Sequence, residues 1–102
     1  MPVESPNPPL TIDGLQQTIR DRYYATDNAR GTSSTFMWFI EEVGELATAL
    51  QRAHSEGAQQ NLDEEFADVL AWLCTLANIS DVDLAAAVHR KYLAGNGPEG
   101  RK

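Results

Sequence analysis

Residues 35–50 read TFMWFIEEVGELATAL, and they settle what kind of fold this chain can adopt. Phe36, Ile40, Val43, Ala47 and Leu50 recur at alternating steps of four and three, the period of an amphipathic helix. Ser34 or Thr35 is a suitable N-cap, and the pattern carries the helix to about His54. Downstream, SEGAQQN reads as a linker. Asn61 or Asp63 then caps a third helix that runs to about Asn78, with Leu62, Phe66, Val69, Leu70 and Leu73 apolar. Upstream, Ile12, Leu15, Ile19 and Tyr23 predict a first helix over roughly 11–25, followed by ATDNARGTSS, a run of turn formers that reads as a loop. Ser80 or Asp81 caps a fourth helix with Asp83 in its first turn, ending near Ala94 with Gly95 as the stop.

No stretch alternates with period two. The expected fold is all-α, a four-helix bundle-like domain in which short connections make neighbours antiparallel. Residues 10–96 form that domain. Residues 1–9 hold four prolines and read as an extended arm, and residues 97–102 read as a tail. Four short helices make a thin core, so a homodimer or homotetramer is expected to cover the remaining apolar stripes.

Composition narrows the function. The net charge is −7, which argues against an electrostatic grip on a nucleic acid polymer or an anionic membrane surface. An anionic ligand would need a cation between it and this protein. The single cysteine, Cys74, excludes a disulfide scaffold and argues against a cysteine-based zinc site. No apolar run is long enough to span a bilayer, and the N-terminus lacks a signal-peptide pattern, so the expected location is cytoplasmic.

The chemistry lies in the acids. Glu42 and Glu45 are three residues apart on the second helix, and Glu65 and Asp68 are three apart on the third. Carboxylates on an exposed helix face are ordinarily balanced by Lys or Arg three or four residues away. Here Glu42 has Trp38, Phe39, Glu45 and Leu46 at those positions, and Glu65 has Asn61, Leu62, Asp68 and Val69. Like charges at this spacing repel by about 0.2–0.5 kcal/mol per pair even in water, and bringing two pairs together near a core costs more unless a cation compensates. Four carboxylates without His or Cys suit Mg²⁺, or Mn²⁺ as substitute, rather than zinc. If the second and third helices face each other antiparallel, Trp38 and Trp72 fall at the same end of the acids. Each then lies about 6 Å along the axis from its nearest carboxylate, and together they can offer a base-stacking surface.

The motifs EEVGE (41–45) and EFAD (65–68) resemble the EExxE…ExxD signature of the all-α nucleoside triphosphate pyrophosphohydrolases. That superfamily includes MazG, dimeric dUTPases and phosphoribosyl-ATP pyrophosphatases, and residues 35–92 look most like a short MazG-like protein. The resemblance implies a helical bundle assembled as dimers or tetramers. It implies Mg²⁺-dependent cleavage of a nucleotide between its α- and β-phosphates, giving a monophosphate and pyrophosphate. Its metal ligands match Glu42, Glu45, Glu65 and Asp68. Glu41 takes the position of the first motif glutamate, suited to orienting or deprotonating the attacking water or to holding a further ion. Lys91, beside Arg90, is the nearest match to the family's late phosphate-contacting base, while Asn96 and Arg101 keep the C-terminal pattern only loosely. Arg30, in the expected loop before the acid-bearing helix, can reach the phosphates. His54 and His89 sit near helix ends and are assigned no chemistry. A phosphoribosyl-ATP pyrophosphatase and a non-catalytic Mg²⁺-nucleotide-binding or helical partner module are the alternative readings.

Overall fold

A computed structural model describes residues 9–95. The N-terminal arm up to residue 8, Asn96 and the tail at 97–102 lie outside the described residues. Four α-helices follow in chain order: α1 (Ile12–Arg30), α2 (Thr32–Gln51), α3 (Ala58–Ile79) and α4 (Leu84–Val88). A π-helical turn, His89–Leu93, closes the described chain before Gly95, which takes the positive φ expected of a helix stop. The all-α, bundle-like expectation holds, and the boundaries move.

The largest correction concerns residues 25–34. They are not a loop: α1 continues to Arg30, and α2 starts at Thr32. The whole connection is Gly31, at φ 86° and ψ 166°, a conformation open to a residue without Cβ. Its N–H donates to the Asp27 carbonyl (3.2 Å), and its own carbonyl accepts from Thr35 N–H (3.1 Å). Thr, Asp and Asn favour turns when nothing else decides. Here the Asp27 side chain is bound into the core, and tertiary contact overrides propensity. Gly31, not Ser34 or Thr35, is therefore the N-cap of α2.

Smaller shifts follow the same logic. α2 stops at Gln51, short of His54. Left-handed Gly57 caps α3, so Asn61 and Asp63 lie inside its early turns, where Gln59 donates to Asp63 (2.7 Å). Asp83, rather than Ser80 or Asp81, caps α4, accepting from Ala86 N–H at 3.0 Å. Thr11 caps α1 through Gly14 N–H.

Side-chain pairs give the helix directions. Trp38 stacks on Trp72, while Glu45 acts on Glu65. Moving forward on α2 means moving backward on α3, so the two run antiparallel as expected. α1 packs on the second half of α3 through Arg30 with Trp72, Asp27 with Thr75, and Gln16 with Asn78. Gln16 also donates to the Val82 carbonyl and accepts from Leu84 N–H, tying α1 to the start of α4.

The seam between α2 and α3 is not made of the strongest apolar stripes. On α2 the inward stripe is Thr35, Phe39, Glu42, Leu46 and Ala49, buried or half-buried. On α3 it is Glu65, Val69, Trp72 and Leu76. Most of the apolar stripe read from the sequence lies one residue, about 100°, beyond this seam, and most of its large side chains stay open. Phe36, Ile40, Val43 and Leu50 are 37–51% exposed, and Phe66, Leu70 and Leu73 are 40–53% exposed. The physical reason is that Glu42 and Glu65 occupy the seam. In an antiparallel pair, a one-residue step in the same chain sense turns both stripes to the same side of the molecule.

Candidate functional site

The acids enter the site because each helix aims one of them inward. Glu42 lies between Phe39 and Leu46 on the buried stripe of α2, and Glu65 precedes Val69 on that of α3. Glu45, one turn after Glu42, closes the group. Glu42, Glu45 and Glu65 can each present an oxygen within 4.8 Å of the others. Asp68 is not part of that mutual group, yet its charge acts on both Glu42 and Glu65.

Electrostatics mark this group. Burial, first, and then the charges of Glu45, Asp68 and Glu65 push the Glu42 carboxyl above the usual glutamate range. Glu65 is raised in the same way, by desolvation first and then by the charge of Glu45 and a hydrogen bond shared with it. Oε2 of Glu42 and Oε2 of Glu65 are buried without a hydrogen-bond partner among the described residues. A buried acceptor left unmatched is costly, and two of them facing a third carboxylate call for a positive partner. The donor set is all carboxylate oxygen. It fits a hard divalent ion and offers nothing to favour zinc or copper.

Beside the acids, the structure joins the two tryptophans. The Trp38 and Trp72 rings are 6.4 Å apart between centroids and 19° from parallel. Trp72 is half-buried, and Trp38 is 48% exposed. Glu41 sits on the outer side, lining a cavity of about 310 Å³ with Ser34, Met37 and Trp38.

Arg30 is no loop residue. It ends α1, with its guanidinium 5.2 Å from the centre of the Trp72 ring. Nη1 donates to Asp27 Oδ1 (3.1 Å) and reaches Thr35 Oγ1 (3.5 Å). Thr75 Oγ1 donates to the other Asp27 oxygen (3.1 Å). Asp27 is only 4% exposed. Lys91 lies in the π-helical turn with its ammonium 5.7 Å from the Tyr92 ring centre, and among the described residues it forms no ion pair with the carboxylates. Sequence reasoning missed Asp27 and Thr75. The spacing of Asp27 and Arg30, three residues apart, was the available signal, and it has meaning only if the stretch is helical.

Fold and site together define the class of all-α domains that gather helix-borne carboxylates where a cation can be held. A family model, the MazG nucleotide pyrophosphohydrolase domain, matches residues 30–92, more than half of the chain, and the chain belongs to this family. The matched segment contains both acidic motifs and both tryptophans. No curated protein matches the chain.

Proposed function

We propose that this protein hydrolyses a nucleoside triphosphate, or a related nucleotide, at the α–β phosphate bond, releasing a nucleoside monophosphate and pyrophosphate. One observation carries the proposal: in a chain of the MazG nucleotide pyrophosphohydrolase family, Glu42, Glu45 and Glu65 converge with two buried oxygens unmatched. Glu42, Glu45, Glu65 and Asp68 are the residues that would hold Mg²⁺, with Mn²⁺ as a substitute. When bound, such an ion supplies neutralisation of phosphate charge and a water of lowered pKa.

The chain's own groups do the rest. The exposed carboxylate of Glu41, on the turn that carries Glu42, orients the attacking water and takes its proton. The water oxygen bonds to the α-phosphorus, the α–β bridging bond breaks, and the bridging oxygen leaves with pyrophosphate. Trp72 offers an indole face to the base, and Trp38, stacked on it, flanks the substrate. Arg30 contacts the substrate from the end of α1, and Lys91 from the C-terminal turn.

The same reading makes the protein a homodimer or homotetramer, because the open stripes on α2 and α3 form one continuous apolar face. A second copy presents the same face, which makes it self-complementary. A cytoplasmic location belongs to the same proposal.

The decisive experiment incubates the protein with Mg²⁺ and a panel of canonical and modified ribo- and deoxyribonucleoside triphosphates, and measures pyrophosphate against orthophosphate. Pyrophosphate as primary product is expected. Orthophosphate as primary product sinks α–β cleavage. Retained Mg²⁺ binding with no turnover of any nucleotide points to a binding module.

A further inference from the structure

A second cavity, of about 330 Å³, lies between α1 and the second half of α3. Ile19, Tyr23 and Trp72 line its walls, and Asp27, Arg30 and Thr75 contribute its polar groups. We propose that this cavity receives the base end of the nucleotide, with Asp27 as the specificity-determining acceptor for a base N–H. The inference rests on the hydrolase reading above and adds to it a direction for the bound substrate and a chemical requirement on its base.

The argument starts from charge. Arg30 has the charge to anchor a phosphate, but its guanidinium is already paired with a carboxylate that is 4% exposed. The pair is neutral as a unit, and Asp27 repels any phosphate that enters. The phosphates therefore belong at the carboxylate group, where a cation can mediate. This cavity takes the uncharged end.

Hydrogen-bond accounting then sets the chemistry. A carboxylate has about four acceptor positions. Asp27 uses one on Arg30 and one on Thr75. Whatever meets the remaining positions must donate. A flat heterocycle with an N–H edge satisfies both features, laying its face against Tyr23 or Trp72 and its edge toward Asp27. A group offering only acceptors does not.

Length agrees. From Asp68 to Thr75 is seven residues of α3, about 10.5 Å of helix axis. A nucleotide laid along that face, with its phosphates over the acids, carries its base toward Thr75 and the cavity.

The test compares kcat/KM for nucleoside triphosphates with that for ribose 5-triphosphate, which has the phosphates and sugar but no base. In the wild type the base should contribute at least about ten-fold, and methylating its Watson–Crick N–H groups should remove most of that gain. Asp27→Asn replaces one acceptor with a donor and should lower the nucleotide-to-ribose-triphosphate ratio about ten-fold. Tyr23→Ala should lower it too. Tyr23 is 49% exposed, so that variant keeps the fold even if Asp27→Asn does not. A wild-type ratio near one, or variants that lower both substrates equally, overturns the assignment of the cavity alone. Absence of pyrophosphate release from every nucleotide overturns the hydrolase reading, and this inference with it.

Discussion

Glu65 shows what a single residue here gains and loses. Its carboxyl titrates above the ordinary glutamate value of 4.5 in the folded protein, as does that of Glu42. A carboxyl raised by folding binds its proton more tightly in the native state than in the unfolded chain, so protonation favours the fold. In metal-free protein this contribution is fully present below 4.5 and is lost as pH rises through the elevated native values. The thermal midpoint without divalent ions should therefore fall across that interval, as read by calorimetry in buffers containing a chelator. Glu65→Ala should flatten the fall, leave the metal-free midpoint unchanged or higher, and abolish metal-dependent turnover. A large loss of metal-free stability would make Glu65 a structural residue instead. The acids were legible in the sequence because a missing counter-charge is a local property, visible three and four residues away. The Asp27–Thr75 bond joins residues 48 apart, and no local pattern announces it.

At the scale of the helix, Gly31 decides more than any apolar residue. The space around its missing Cβ is open to 4 Å, so a side chain there meets no obstacle and the penalty is conformational. At φ 86°, Gly31→Ala should cost about 1 kcal/mol or more. For a domain of this size that lowers the thermal midpoint by roughly 4–8 °C. A change within 1 °C would show that α1 and α2 can join in another way. Helix existence and period were readable at every α-helix, because three- and four-residue spacing survives tertiary context. Boundaries were not. Turn-forming residues at 26–28 and 32–34 stay helical because Asp27, Arg30 and Thr35 are held by one another and by α3.

For the whole molecule, the open face of α2 and α3 is the dominant fact. Periodicity identified the stripes, and most of their large side chains lie open. A stripe says which residues seek cover, not whether the cover is the same chain. If the proposed homo-oligomer forms through this face, Ile40→Glu and Phe66→Glu, both at exposed positions, should leave each chain folded and convert a multimeric wild type to monomer, as measured by sedimentation velocity. A multimeric coefficient that is unchanged in the double variant would move the interface elsewhere, and a monomeric wild type would overturn the oligomer proposal. The stacked indoles have one more consequence. Trp38 and Trp72 are the chain's only tryptophans, and they stand 6.4 Å apart beside the acids. The protein's intrinsic emission and near-ultraviolet dichroism therefore arise mainly from this one place. A titration with cation or nucleotide can be followed optically, without a label, as a change in how two coupled chromophores face each other.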